Sequence, residues 1–445
     1  MKKAIPLFAL ALMIVACNNS KEKENPNQTE EQMNEIENPL LSESTLPYGA
    51  PDFSKIKDEH FKPAMLEGIE QQKKAVEAIA NSEDEPTFEN TVIALEKSGE
   101  LLNRSSQIFY ALAGANTNET LQAIEEEMAP KFAAQKDMIY LNDKLFKRFK
   151  TLHNKKESLN LDPESLKLLE EYYEDFEIAG ANLSSENKEK LKQYNETIAT
   201  LTTKFGKTLL DANNAGAVTF TNKEDLAGVD EDFLKSKENK DGPGWKIPLQ
   251  NTTQQPLLQS MQNRASREKL FKAAWHRADH GANDTRDLIK QLVEVRAQKA
   301  KLLGFNNYAE WSLQKTMAKT PENVNAFFGK LIPAATAKAQ MEADEIQKMI
   351  NSKGEDFTLE PWDWNYYAEM VRKKKYDLDE DQIKPYFELN NVLEKGVFYA
   401  AQKLYGITYK PRTDIPTYHE DVKVYELFEE NGEPLGLFYT DYFAR

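Results

Sequence analysis

A chain of 445 residues with Lys+Arg 57 against Asp+Glu 73, a formal net charge of -16, lacks the basic surface that counterion release from phosphates demands, which excludes nucleic acid as a partner. Hydrophobic residues at 40% and charged residues at 29% are those of a globular protein, and the length allows a large core. A single cysteine, Cys17, excludes an intrachain disulfide.

The N-terminus reads as a targeting segment. Lys2 and Lys3 precede an apolar run from Ala4 to Ala16, which has the length of a signal h-region and is short for a bilayer span. Ile14-Val15-Ala16-Cys17 resembles a bacterial lipoprotein processing site. Residues 1–16 are thus expected to be a signal peptide, with Cys17 lipidated and the chain anchored outside the cytoplasm, on a periplasmic or outer-membrane face. A structural free thiol and a conventional cleaved signal are the alternatives. Residues 17–46 are polar and poor in aromatics, too apolar-poor to offset ordering entropy, and are expected to be a disordered tether. The folded body is expected over 47–445.

From there the dominant period is helical. Leu191, Tyr194, Ile198, Leu201, Phe205 and Leu209 recur at steps of three and four, while Lys188, Glu189, Lys192 and Glu196 fall opposite; the first set predicts a packing face and the second a solvated one. Further helices are predicted at about 62–81, 88–112, 118–150, 163–181, 256–278, 284–303 and 321–351. Thr87, Asp162-Pro163 and Thr320-Pro321 are opening signals, and Ser98-Gly99 a closing one. Val218–Phe220 and Trp245–Leu249 predict short strands. Val422–Phe428 and Leu435–Tyr442 flank Glu430-Asn431-Gly432-Glu433 and predict a hairpin, because Asn-Gly tolerates positive φ at both turn positions. The fold class expected is mainly α: a large multi-helix body with a few short strands and a C-terminal β-hairpin, whose strand partners are absent or lie far back in the chain.

Few residues offer catalytic chemistry. His276 and His280 have the i, i+4 spacing of a shared metal, but Arg277 stands where a zinc peptidase carries its general-base Glu and Gly281 ends the helix; dipole and solvation partners are the alternative. His419-Glu420 runs into a predicted strand, whose alternating faces would separate the two side chains. Asp363 and Glu369 are acid–base candidates, with exposed helix carboxylates as the ordinary reading. Arg372-Lys373-Lys374-Lys375 reads as a solvated helix end. Trp362, Trp364, Tyr366 and Tyr367 could line a peptide groove or pack a helix N-terminus on the core. No glycine-rich phosphate loop and no G-x-S-x-G motif occurs.

A set of motifs in order carries more. Pro86-Thr87-Phe88-Glu89-Asn90-Thr91, Leu302-Leu303-Gly304-Phe305, Pro361-Trp362-Asp363 with Tyr366-Tyr367, Gly396-Val397-Phe398, Leu404-Tyr405-Gly406-Ile407 and Tyr418-His419-Glu420-Asp421-Val422 together resemble the thimet oligopeptidase and bacterial peptidyl-dipeptidase family of zinc metallopeptidases. The resemblance runs from Pro47 to Arg445, with the peptidyl-dipeptidase branch nearer. It implies two mainly helical lobes around a deep channel, oligopeptides as substrates, release of C-terminal dipeptides, zinc as cofactor and a monomer. It also implies that about 420–445 starts a small sheet beside the active site, whose edge strand pairs with substrate backbone. The family binds zinc through H-E-x-x-H and a later Glu, and no H-E-x-x-H occurs in these residues. The expectation is therefore an N-terminal portion, inactive as it stands, with no catalytic, cofactor-binding or metal-ligating residue of its own. A noncatalytic helical peptide-binding lipoprotein is the alternative.

Overall fold

A computed structural model describes residues 38–377 and 380–443. The expected signal peptide, Cys17 and the first part of the expected tether lie outside the described residues. Within the rest of that tether, Leu40 is buried beside Phe61, Met65 and Phe109, and its carbonyl accepts from Arg104 Nη2. Packing thus begins before Pro47, because one leucine enters the core although its neighbours are polar.

The architecture is mainly helical. Asp58–Asn81 (α1), Glu100–Ala115 (α2), Glu119–Tyr140 (α3), Asp143–Asn154 (α4), Pro163–Ala179 (α5) and Ser185–Ala215 (α6) follow one another. Val76, Phe88, Phe149 and Phe176 share one core cluster, and Phe61, Phe109, Leu121 and Met128 share another. Helices α1 and α2 pack so closely that a Cβ on Gly68 would lie 2.8 Å from the Leu102 backbone, an approach open only to glycine. Thr87 caps the π-helical turn Phe88–Ile93 reciprocally with Asn90. Asp162 accepts from the amides of Glu164 and Ser165 at the start of α5, and Gly180 (φ 103) closes it with Ala181 N donating to Phe176 O, a Schellman pattern.

The helix predicted at 88–112 breaks at Ser98-Gly99, and two others predicted as single are each broken in two at an asparagine. Asn142 accepts from the amides of Lys144 and Leu145, ending α3 and starting α4. Asn263 does the same between Asn251–Ser260 (α7) and Arg264–Trp275 (α8) by accepting from Ser266 N. An asparagine inside an apolar period offers the backbone a cap, which competes with continuation of the helix. Lys188, expected on the solvated face of α6, is instead 4% exposed; its ammonium takes Leu141 O and Asp143 Oδ1 at the same break.

After α6 come β1 (Val218–Phe220) and β2 (Trp245–Ile247), paired antiparallel with Phe220 opposite Trp245. A Cβ on Gly244 (φ 87) would lie 2.0 Å from Phe220 O, so glycine is required there. This hairpin, α7 and α8 share a core cluster containing Ile247, Met261 and Leu270. Arg286–Leu302 (α9) packs Leu288, Leu292 and Val295 against Leu201, Tyr194, Ile198 and Phe205 of α6, which is the apolar period predicted for α6. Pro321–Ser352 (α10) buries only Ile346, Met349 and Ile350, leaving Phe327, Phe328, Leu331 and Ile332 exposed. Trp364–Tyr376 (α11) follows. Among the described residues no helix is long and apolar enough to cross a membrane.

The C-terminal sheet has three strands, β3 (Thr408–Arg412), β4 (Lys423–Phe428) and β5 (Pro434–Thr440), in that order and antiparallel. The expected hairpin is β4–β5, and its partner β3 lies directly upstream, neither absent nor far back. β3 escaped prediction because Lys410, Pro411 and Arg412 interrupt any alternation; proline is tolerated since β3 is an edge. Of the Asn-Gly pair only Gly432 has positive φ (85). Gly432 N donates to Glu429 O, and the pairing shifts between Leu427 and Phe428, so the turn is a bulged one.

Candidate functional site

The aromatic run packs inward. Pro361–Asp363 forms a 3-10 turn that leads into α11, and Glu360 N donates to Asp363 Oδ2 at 3.3 Å. Asp363 is 0% exposed, with the wholly buried Arg267 donating to Oδ1 at 2.9 Å and Arg264 donating to both oxygens at 2.8–3.1 Å. Arg267 also donates to the carbonyls of Trp362, Met261 and Gln262. The guanidiniums lie against rings, Arg264 4.0 Å from Phe357 and Arg267 4.2 Å from Tyr366. Tyr367 is buried beside Ile346, Met349 and Ile350, and Trp362 meets Phe271 edge to face.

Asp363 is therefore not the exposed helix carboxylate of the ordinary reading, and water has no path to it for acid–base work. It pairs with two arginines and ties α8 to the start of α11. The carboxylate in turn holds the Arg264 guanidinium above its ordinary pKa through their hydrogen bond. Glu369 accepts from Arg372 at 2.7 and 2.8 Å and from Gln259 at 3.2 Å, joining α11 to α7. Lys375, in the basic run, pairs with Glu345 at 2.6 Å. Nothing in the sequence marked Arg264 and Arg267 as partners of the run; an arginine at a core position of α8 was the one available signal.

The histidines do not converge. Helix α8 stops at Trp275, so His276 and His280 lie in the turn beyond it, where the Nδ1 of each is 2.7 Å from the Asp279 carboxylate. Those hydrogen bonds hold the Asp279 carboxyl below its usual range. Both rings are exposed, and one carboxylate orients them where the helical spacing suggested a metal. His419 and Glu420 lie in the turn before β4, not on the strand expected there, and His419 Nδ1 accepts from Asp421 N at 3.2 Å. His60 accepts from Lys57 N at the start of α1, and His153 stacks on Tyr173 at 3.9 Å. Burial lowers the pKa of both imidazoles. Among the described residues no group of three or more His, Cys, Asp or Glu is placed to hold a metal. The donor set present does not fit a peptidase zinc centre, which needs three protein ligands around an open position.

The sheet is the remaining feature that bears on peptide binding. Phe398 stacks on Tyr409 at 3.9 Å and meets Tyr425 edge to face, covering one side of the sheet. Val424, Leu437 and Tyr439 pack on the other against Ile415, Ala50 and Leu46. The segment entering the body is fastened to the sheet by Tyr48 Oη donating to Glu426 and by Phe53 against Tyr418. Tyr418 Oη in turn donates to Asp441 at 2.7 Å. Among the described residues β5 pairs with β4 alone, so its outer backbone edge is open, with Leu435 and Phe438 exposed beside it. An open edge on a rigid sheet can add a peptide as a further strand.

Residues 257–445 match Peptidase family M3. The chain is 47% identical over 418 residues to dipeptidyl carboxypeptidase of Escherichia coli (strain K12), covering 92% of this chain and 61% of that protein. Dipeptidyl carboxypeptidase of Salmonella typhimurium is 45% identical over 414 residues, and oligopeptidase A of the same organism 28% over 417, with the same coverage. The chain thus spans 61% of the length of each of these curated relatives. The aromatic turn, the buried arginine–aspartate node and the three-stranded sheet all lie inside the residues that match Peptidase family M3.

Proposed function

We propose that this chain is the N-terminal part of a zinc metallopeptidase that releases dipeptides from the C-terminus of oligopeptides, and that it is inactive by itself. The observation that carries the reading is the similarity to two dipeptidyl carboxypeptidases over 92% of this chain. The open edge of β5 supports it as a place where substrate backbone would pair. Zinc would supply a bound water acidic enough to ionise near pH ~7, and the residues to hold it would come from sequence beyond these. The apolar surface supports the same reading: Phe327, Leu331 and Ile332 on α10, and Tyr386, Phe387, Leu404 and Tyr405 before β3, are exposed, more than a free surface ordinarily carries.

Peptide hydrolysis tests this reading. Incubated with zinc and an unblocked pentapeptide, the chain of 445 residues is expected to release nothing by mass spectrometry. A longer product that adds an H-E-x-x-H segment is expected to release the C-terminal dipeptide and to lose activity to a chelator. Chelator-sensitive hydrolysis by these residues alone would overturn the proposed division of labour.

We also propose that Cys17 carries a lipid that holds the protein on an extracytoplasmic membrane face, the motif Ile14-Val15-Ala16-Cys17 being the support. Cys17→Ser is expected to move the protein from the membrane fraction to the soluble fraction and to abolish labelling by radioactive palmitate. Unchanged partition would sink the assignment.

A further inference from the structure

A cleft of about 490 Å³ is lined from α3, α5, α6 and α9. Asp137 in its wall is 7% exposed, and Asn195 Nδ2 donates to its Oδ1 at 2.7 Å. The other atom of that amide, Asn195 Oδ1, is buried and has no hydrogen-bond partner among the described residues. Lys299 lines the same cleft with its Nζ 4.4 Å from the centroid of the Trp311 ring. Among the described residues its ammonium makes no hydrogen bond and no ion pair. The neighbouring Asp175 is engaged by Lys315 at 2.8 Å, so it is not the missing acceptor.

A half-buried ammonium without an acceptor and a buried amide oxygen without a donor are both costly unless something else completes them. Each of the three polar groups stands on an apolar stripe: Asn195 between Leu191 and Ile198, Lys299 one turn after Val295, and Asp137 between Ala133 and Tyr140. A carboxylate with a free acceptor beside it calls for a cationic donor, whereas Lys299 calls for an anion. A metal ion would satisfy the first and be repelled by the second. Ile178, Ile198 and Ala199 complete the wall, which suits an aliphatic side chain.

We propose that this cleft binds a small zwitterion of the amino-acid or dipeptide class, its carboxylate on Lys299, its ammonium on Asp137 and Asn195 Oδ1, and its aliphatic side chain against Ile178 and Ile198. Burial pushes the Asp137 carboxyl up to about 6 and the Lys299 ammonium down to about 8; at pH 7 both are still mainly charged and ready for such a ligand. The proposal does not depend on peptide hydrolysis. It concerns helices far in sequence from the terminal sheet.

Isothermal titration at pH 7 tests it, with L-alanyl-L-leucine, its C-terminal amide, its N-acetyl derivative and free L-leucine as probes of the purified chain. The unblocked dipeptide or leucine is expected to bind, whichever is tighter naming the length of the ligand, and each blocked form to bind at least about tenfold more weakly. Lys299→Met is expected to erase the difference between the free carboxylate and the amide. Asp137→Asn is expected to erase that between the free and acetylated amine. Should Lys299→Met fail to fold, Ala199→Trp fills the cleft from another helix and is expected to abolish binding of every probe. Absence of binding by the wild-type chain at 10 mM probe, or equal affinity for all four in wild type and variants, would overturn the proposal.

Discussion

Replacing Asp363 by alanine is expected to lower the unfolding free energy by about 3–5 kcal/mol, because it strands a buried guanidinium without its counter-charge. Arg267 is 1% exposed, so water cannot replace the carboxylate, and its three carbonyl partners engage only Nε and Nη1 and do not neutralise it. Arg264, 36% exposed, can turn to solvent and contributes the smaller part. The same substitution removes the carboxylate that accepts from Glu360 N at the start of the turn, which adds about 1 kcal/mol. Asp363→Asn keeps an acceptor and loses the charge, so an intermediate loss is expected. Equilibrium urea unfolding followed by tryptophan fluorescence reads the effect directly, since Trp362 and Trp364 flank the site. A loss below about 1 kcal/mol for the alanine variant would mean that the node is not the clamp between α8 and α11 that its geometry indicates.

Asp137→Asn is expected to act in the opposite direction, and only above acidic pH. The Asp137 carboxyl is raised from 3.8 to about 6, chiefly because burial disfavours its charged form, against the help of Asn195. A carboxyl raised in the folded state leaves stability intact while both folded and unfolded states are protonated. It then removes stability as the pH climbs from the unfolded value through the folded one. Two units at about 1.4 kcal/mol each amount to about 3 kcal/mol lost between roughly pH 4 and 6. Asparagine has the same shape and carries no charge, so the variant should match wild type near pH 4 and exceed it by about 2–3 kcal/mol at pH 8. The charged groups acting on Asp137 are Lys299, Lys192 and Glu189, and those acting on Lys299 include Lys136 and Arg296. Lys299 adds a second limb: lowered from 10.5 to about 8, its ammonium costs stability that returns as the pH rises from about 8 towards 10.5. Urea midpoints measured from pH 4 to 9 would show the difference opening between pH 4 and 6. A constant offset across that range would point to a packing effect and not to ionisation. Strain of this kind, held in the free protein at a cleft, is what a binding site tolerates for its ligand.

Most helices were legible because they carry an apolar stripe and a cap. Leu191, Ile198, Leu201 and Phe205 predicted the α6 face that meets Leu288 and Leu292, and Asp162, Thr87 and Thr320 marked true helix starts. Most of the misreadings turn on a polar residue whose hydrogen-bond partner the apolar period does not report. Lys188 fell on the solvated side of the pattern, yet its ammonium caps the end of α3. Asn142 and Asn263 sat inside apolar periods and became caps. Asp363 appeared to be one more helix carboxylate, and the arginines that bury it lie nearly a hundred positions earlier. β3 was missed because its lysine, proline and arginine hide an edge strand whose pairing with β4 is decided by hydrogen bonds and not by alternation.

The sequence by itself determined the helical class, the hairpin around Gly432, the family that the chain resembles and the lack of an H-E-x-x-H zinc motif in these residues, since each is a matter of local period, turn chemistry or ordered motif. Only the tertiary structure decided which polar groups meet. It closed Arg264 and Arg267 on Asp363, turned His276 and His280 onto Asp279, and brought Asp137, Asn195 and Lys299 from three helices into one cleft. The physical reason is that desolvation and charge pairing depend on distance through space, and a residue's neighbours along the chain do not report it.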